Sequence, residues 1–373
     1  MTSISWRQAL AWRMRRQLLV PLGTVTAVEV TDRLCGVQAQ VASSAELAIR
    51  LRQADSSAGA VARDLAAGRL VKTWAMRGAL HLLTPEKGGH FLSLIAAGRS
   101  WERPSWQRYF GASPVDMDRL RAVVSEVLAD GALTREELIA AVTAKPRFRH
   151  MAEVMRSGWG TVLKPLAWQG DIVFGPSRGR NVTFIRPSDA SPTWAGVPDA
   201  DESAARVIAA YLGVFGPATI DQFDKWLAGG GFGRRRLKGW FDSLGDQIAT
   251  IDVEGDQLFI LAADVDELAA TKPTTEVRLL GGFDQYVLGP GTADGRVTAA
   301  ERRSKVSLQS GWISPVVIAG GVVAGTWAAA ENTVAVAWFR EAGRVPRTAL
   351  DQQVTRLAGI LGRPLEPVLS VID

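Results

Sequence analysis

One pattern restricts the fold of this chain more than any single motif: helical stretches closed by a pair of alternating strands, met three times in succession. Arg7 to Leu19, Val28 to Leu34, Glu46 to Arg52 and Ala58 to Ala67 read as helices, with Gly68 as a stop, and Leu70 to Ala75 and Ala79 to Leu83 as strands around Arg77-Gly78. The order returns from Val115. Asp118 to Leu128 is a helix, Thr134-Arg135-Glu136-Glu137 a capping box opening the next, and Met151 to Leu163 a third before Pro165. Asp171 to Gly175 and Asn181 to Ile185 then alternate around a turn carrying Arg178 and Arg180. A Pro/Ser/Ala-rich stretch from Ser188 to Asp199 reads as a flexible join. Beyond it come helices Ala204 to Leu212, Ile220 to Leu227 and a basic Arg234 to Leu244, and strands Ile248 to Val253 and Gln257 to Leu261 around an acidic tip.

Three helices and a terminal hairpin make the winged helix-turn-helix plan, in which the last helix enters a major groove and the hairpin meets backbone or minor groove. From Glu276 the chain turns to strands: Val277 to Leu280, Phe283 to Leu288, Val316 to Ile318, Val322 to Trp327 and Val334 to Trp338. A helix with Leu350, Val354, Leu357 and Ile360 on one side, started by Pro346, closes it. The expected fold is α+β: three tandem winged helix-turn-helix units, residues 1–110, 111–190 and 200–272, then a β-barrel-like C-terminal domain over 273–373. No sequence string is shared among the three copies, and the acidic tip of the third hairpin would be repelled by phosphate.

Between the second and third helical stretches lies Cys35-Gly36-Val37-Gln38-Ala39-Gln40-Val41-Ala42. If this segment is extended, the small apolar side chains face inward and the amides of Gln38 and Gln40 point outward together. Ser43-Ser44-Ala45-Glu46 reads as a capping box, which puts the pair just before a helix N-terminus. Taken alone, the pattern is a weak signal and describes two solvated glutamines at a helix junction better than a site.

The remaining composition excludes more than it selects. Over 373 residues, 43 Lys+Arg against 38 Asp+Glu leave a charge of +5, compatible with a nucleic-acid partner, with arginines clustered at Arg178 and Arg180 and at Arg234, Arg235 and Arg236. The single cysteine, Cys35, allows no intrachain disulfide and suits a reducing cytoplasm. His81, His90 and His150 lie far apart without cysteine partners, so neither a metal nor another cofactor is expected. The uncharged run Trp312 to Ala330 nearly reaches membrane-spanning length, but Pro315, Gly320-Gly321 and its valines favour a buried hairpin and no membrane segment. The glycines before Arg234 lack a Gly-Lys-Ser/Thr ending, and no Gly-x-Ser-x-Gly, His-Glu-x-x-His or Cys-x-x-Cys is present.

Met14-Arg15-Arg16-Gln17-Leu18-Leu19, Gly36-Val37-Gln38-Ala39-Gln40 and Thr73-Trp74-Ala75-Met76-Arg77-Gly78-Ala79-Leu80-His81-Leu82 occur in that order. Phe283-Asp284-Gln285-Tyr286-Val287-Leu288-Gly289 and Pro315 to Trp327 follow. Together they resemble the AlkZ/YcaQ family of bacterial winged-helix DNA glycosylases over nearly the whole length. The resemblance implies metal-independent cleavage of the N-glycosidic bond of N7-alkylated purines in double-stranded DNA, interstrand crosslinks included, and self-resistance to a DNA-alkylating antibiotic. The family's Gln-apolar-Gln signature falls on Gln38 and Gln40, the expected catalytic pair; the YcaQ branch has Asp at the second position. Ala79 stands where many relatives carry Thr.

Expected DNA contacts are Trp74, Arg77, His81, Arg178, Arg180, Arg234, Arg235, Arg296, Arg302 and Arg303, with Arg77 and His81 near the glutamines. Either the Val316 to Trp327 hairpin or the Arg296 to Lys305 loop is expected to probe a groove, and a monomer is expected. The competing reading is a non-catalytic winged-helix DNA-binding regulator or lesion sensor.

Overall fold

The computed structural model describes residues 4–157 and 160–373. The architecture is mixed α and β, and the chain divides into two compact units. One unit comprises the residues through Ala60, Ile208–Trp226 and Phe241–Asp373; the other comprises Val61–Val207 and Leu227–Trp240. No helix among the described residues is long and apolar enough to cross a membrane.

In the first unit, helix Trp6–Arg16 is started by a reciprocal Ser5–Gln8 capping box. One side of it, Leu10 and Met14, packs with Leu280, Tyr286, Val316 and Ile318; the other, Trp6, Ala9 and Trp12, packs with Val253, Leu258 and Ile260. Those last residues belong to the hairpin Ile248–Val253/Asp256–Leu261, turned at Glu254 (φ 50°) and Gly255 (φ 92°). Its acidic tip has an internal use. Glu254 accepts from the Trp6 backbone N–H and Asp256 from the Trp6 indole N–H, each at 3.1 Å.

The C-terminal strands run in the order Glu366–Ile372, Thr333–Phe339, Val322–Ala330, Val316–Ala319, Val277–Leu280. Pairing is antiparallel except between the first two, which are parallel. The parallel pair needs a crossover, and helix Arg347–Leu361 supplies it, burying Leu350, Val354 and Leu357 against Val317, Trp327, Val336 and Trp338. Two edge strands stay apart, so the sheet is open and the expected barrel-like closure is not found. Phe283–Leu288 is not a strand either: the Asp284 carboxylate accepts from the Tyr286 N–H at 2.8 Å and starts the short helix Gln285–Leu288.

In the second unit, strands run in the order Leu80–Leu83, Val71–Trp74, Val173–Arg178, Asn181–Ile185, Leu133–Thr134. Two hairpins expected separately are thus joined in one sheet, through Lys72 opposite Phe174. Helix Arg135–Thr143 begins at the anticipated Thr134–Glu137 box. The stretch Met151 to Leu163 is not one helix. A 3-10 turn Pro146–Met151 leads into helix Ala152–Arg156, residues 158–159 lie outside the described chain, and the next helix is Lys164–Trp168. Gly160 explains part of the break: its φ is +62°, and a Cβ there would lie 2.2 Å from the Trp74 ring.

The Ser188 to Asp199 stretch is not a loose join. It starts with helix Pro187–Ala190 and then runs so close to helix Pro85–Ala97 that a Cβ at Gly89 would sit 1.7 Å from the Gly196 carbonyl oxygen. Alanine normally gains about 1 kcal/mol over glycine inside a helix, but the obstacle here is backbone that has to move. Gly89→Ala is therefore expected to lower stability by about 3 kcal/mol in a denaturant titration; equal or greater stability would contradict the close approach.

Candidate functional site

Helix Ala27–Arg33 ends in two left-handed residues, Cys35 (φ 57°) and Gly36 (φ 102°). Gly36 N–H donates to the Thr31 carbonyl at 2.9 Å and Cys35 N–H to the Asp32 carbonyl at 3.1 Å, a Schellman closure that reverses the chain. It leaves in an extended state: Val37–Gln38 is a strand, and Val41 (φ −116°, ψ 115°) precedes helix Ala42–Arg50. Val37, Ala39 and Val41 face inward as expected, at 1%, 2% and partly buried, with Val41 against the core that contains Phe283 and Ile313. The glutamines differ from each other. Gln40 is exposed, whereas Gln38 is only 8% exposed, so the expectation that both amides point freely outward holds for one of them.

The Ser43–Glu46 capping box does not form. Val41 is the cap residue and gives no side-chain bond, and Glu46 instead accepts from the Gly59 N–H at 2.9 Å. The opening turn of this helix, with Ala42 and Ser43 exposed directly after Gln40, therefore lacks a side-chain cap, an arrangement suited to a phosphate oxygen. The far end of the helix is clamped. Arg52 and Asp284, both 0% exposed at the side chain, form a two-bonded ion pair at 2.7 and 2.8 Å, and Arg52 also donates to the Ala48 carbonyl at 2.8 Å. Arg356 adds a bond to the Gln53 carbonyl at 2.5 Å. Leu47 packs on the open sheet, and a Cβ at Gly281 would meet it at 3.1 Å. Asp284 lies in the motif Phe283 to Gly289, but nothing in its spacing marks Arg52 as its partner.

The expected DNA contacts separate into three groups. Trp74 and His81 are buried. Trp74 is 4% exposed, with its ring 4.7 Å from Phe174 and 5.8 Å from Phe184, and is a core anchor rather than a surface platform. His81 is fully buried; Nδ1 donates to the Ala79 carbonyl at 3.0 Å, leaving Nε2 as an acceptor with no partner among the described residues. Burial, with the Arg77 charge added, pushes its pKa down to about 3 against the opposing Ala79 bond, so the ring is neutral at pH 7. Arg77 itself is half-buried at φ 54° in the turn between the two strands.

Arg178, Arg296 and Arg302 are exposed to varying degrees but already engaged. Arg178 pairs with Glu137 at 2.9 Å; Arg296 pairs with Asp256 at 2.9 Å and lies 5.1 Å from the Trp6 ring centroid. Arg302 binds Glu341 through two bonds of 2.5 and 2.6 Å and covers Phe339. The Arg296 to Lys305 segment is accordingly a braced strap. Arg180, Arg234, Arg235 and Arg303 are exposed and have no ion pair among the described residues. Arg234 and Arg235 open helix Arg234–Asp242, whose first turn has no acidic residue. Cations at the positive end of a helix dipole cost about 0.3–1 kcal/mol each, an expense that an anionic partner offsets. Among the described residues no group of three or more His, Cys, Asp or Glu is arranged to hold a metal ion.

The family model for "DNA glycosylase AlkZ-like" proteins matches residues 31–360. The chain belongs to the AlkZ-like DNA glycosylase family. A relative from Streptomyces sahachiroi, described as an interstrand DNA cross-link repair glycosylase, is 48% identical over 368 residues, covering 98% of this chain and 99% of its own. The solved structure of Streptomyces sahachiroi DNA glycosylase AlkZ superposes with a TM-score of 0.96 at 47% identity, covering 99% of this chain and 100% of that one. The protein is thus an enzyme of the DNA glycosylase class, and its mixed α+β fold is that of AlkZ.

Two outcomes follow from the buried groups. Asp284→Asn leaves Arg52 buried with its charge uncompensated and is expected to cost about 3–5 kcal/mol in equilibrium unfolding; a change under about 1 kcal/mol would contradict the clamp. For His81 the folded pKa, about 3, lies below the ordinary 6.5, so the unfolded chain takes up the proton first as pH falls. The stability it permits is complete above pH 6.5 and is lost towards pH 3. His81→Gln should therefore reduce the slope of stability against pH in that window by up to about 1.4 kcal/mol per pH unit. Identical slopes in variant and parent would show that His81 charges as easily folded as unfolded.

Proposed function

We propose that this glycosylase hydrolyses the N-glycosidic bond of N7-alkylated purines in duplex DNA, bulky natural-product adducts and interstrand crosslinks included, with Gln38 and Gln40 as the catalytic pair. The observation that carries this reading is the extended segment that presents Gln40 at the uncapped start of a helix clamped at its other end. Alkylation at N7 makes the purine cationic, so it leaves without a general acid. That suits a site whose two side chains do not titrate and a chain whose buried His81 is neutral.

As the bond to the base lengthens, positive charge develops on the sugar. An amide carbonyl oxygen directed at that charge stabilises it, and it does so most when it need not reorganise. Gln38, held in its strand and nearly buried, is the fixed dipole of the pair. Gln40, exposed, is the one that orients the attacking water. Exposed cations at Arg180, Arg234, Arg235 and Arg303 would hold phosphates, which fix register without reading sequence. In the same reading the three helix-and-hairpin segments, residues 1–110, 111–190 and 200–272, act as winged-helix units of a monomer, with residues 273–373 as a β-rich support; the three hairpins support it. The relative's description as a cross-link repair glycosylase supports crosslinked DNA as a substrate.

Release of 7-methylguanine from a duplex under single-turnover conditions tests the assignment. Gln38→Ala and Gln40→Ala are each expected to slow it about a hundredfold while leaving duplex affinity within a few-fold, because neither removes a phosphate contact. Undiminished release in the double variant would remove the glutamines from the mechanism. Wild-type protein that binds duplex but releases no alkylated base would favour a lesion sensor.

A further inference from the structure

The second unit carries an aromatic ring for which the proposed glutamine chemistry has no use. Tyr109, at 78%, is the most exposed large hydrophobic side chain among the described residues. It lies on helix Pro104–Phe110, which Gly111 ends at a φ of 63°. That helix is firmly held. Phe110 is 8% exposed, in a core shared with Leu120, Phe148 and Met151; the Trp106 ring stands 4.6 Å from it, and Gln107 Nε2 donates to the Glu102 carbonyl at 2.7 Å. The Tyr109 ring meets Phe110 edge-on, with centroids 4.7 Å apart and planes at 75°, so its orientation is set while most of the side chain stays in water.

The unpaired charges beside the ring are of one sign. His150 Nε2 donates to the Gly111 carbonyl at 2.9 Å and thereby docks the 3-10 turn Pro146–Met151, with Arg149, at the end of the Tyr109 helix. Glu102 and Asp116, the only carboxylates in residues 99–116 and 144–152, are occupied by Arg99 and by Arg147. Arg108 and Arg149 are exposed and have no ion pair among the described residues. This combination identifies the occupant. A protein interface centres on several apolar side chains, and Val115, 54% exposed, is the only other large exposed apolar one in these segments. A single ring flanked by arginines is instead what a nucleic acid strand requires: the ring takes a base and the cations take phosphates. Bases inside a duplex are already stacked on both faces, so the ring can receive only an unpaired or terminal one.

We propose that Tyr109 is a stacking platform for an unpaired nucleotide of the DNA substrate, with Arg108 and Arg149 on neighbouring phosphates, so that the enzyme prefers duplex adjoining a single strand. The inference rests on the glycosylase reading above and narrows its substrate. A crosslink prevents its own two strands from parting, so unpaired DNA lies wherever an opening duplex has stopped against one. Affinity for that unpaired strand would place the enzyme at crosslinks that block strand separation.

The test is equilibrium binding to an undamaged blunt duplex and to the same duplex with a tail of about ten thymidines at its 5′ or its 3′ end, for wild type, Tyr109→Ala, Tyr109→Phe and the Arg108→Ala/Arg149→Ala double variant. The platform predicts that at least one tail tightens wild-type binding about tenfold, that Tyr109→Ala removes this gain while blunt-duplex affinity is unchanged, and that Tyr109→Phe keeps most of it. The arginine double variant should flatten the salt dependence of tailed-duplex binding by about 1.4 in logarithmic slope, whereas Tyr109→Ala leaves the slope as it is. Wild type that binds blunt and tailed duplexes equally, or Tyr109→Ala that weakens both alike or neither, would overturn the platform. Concentration-dependent self-association that Tyr109→Ala abolishes would overturn it in favour of a second copy of this chain. The probes carry no lesion, so the two readings fail separately: wild type that releases no alkylated base refutes the glycosylase chemistry, and the tail preference still decides the platform.

Discussion

The ion pair between Arg52 and Asp284 organises the surroundings of the candidate site. Both side chains are excluded from water, and each carboxylate oxygen accepts from one guanidinium nitrogen. Pairs of this kind add little net stability, because desolvation consumes most of the Coulombic gain, but they tolerate no loss of either partner. What the pair does is geometric. It joins residues 232 positions apart and fixes the end of helix Ala42–Arg50 against the turn that bears Phe283. With Leu47 on the sheet and Val41 in the core behind the turn, the helix has no freedom to slide, and the segment before it inherits that rigidity. The proposed catalysis by the neutral amides of Gln38 and Gln40 would depend on this. A glutamine carries no charge to attract its target, so its contribution comes from holding a dipole in place before the sugar becomes cationic.

The distribution of arginines follows a related logic. Arg13 is buried and donates to the Pro217 carbonyl at 2.7 Å; Arg52, Arg178, Arg296 and Arg302 are spent on carboxylates within the fold. The excess of +5 is small, but Arg180, Arg234, Arg235, Arg303 and Lys305 are among the exposed cations that have no ion pair among the described residues. Net charge alone understates how much of the surface is available to phosphate. The acidic tip at Glu254 and Asp256 shows the converse: it reads as a bar to DNA until Trp6 is seen to occupy it.

Much of this was legible in the order of residues. The three hairpins, most of the helices before them, the Thr134–Glu137 cap, the extended glutamine segment and the closing helix form where local signals place them, because capping, alternation and glycine stops act over a few residues. The failures are long-range. Phe283–Leu288 alternates like a strand, but Asp284 is committed to Arg52 and caps a helix instead. Met151–Leu163 carries Gly158 and Gly160, a local signal against one continuous helix, but that the chain turns at Gly160 follows from the Trp74 ring that lies there. Glu366–Ile372 carries Pro367 and exposed valines and joins the sheet only as a parallel edge delivered by the crossover helix. Trp74 and His81 sit in a motif of the right kind, but whether a tryptophan reaches solvent depends on Phe174 and Phe184, a hundred residues on. The burial of Gln38 was likewise invisible to a period-two argument, which assigns faces but not what lies over them.

The central claim, that the neutral amides of Gln38 and Gln40 face a sugar becoming cationic, is tested most directly by a crystal structure of the protein on duplex DNA carrying a cationic azasugar in place of the damaged nucleoside. The account predicts side-chain carbonyl oxygens of Gln38 and Gln40 about 3 Å from the charged ring nitrogen or from a single water touching it. An azasugar bound against other residues, with both glutamines remote from it, would contradict the account.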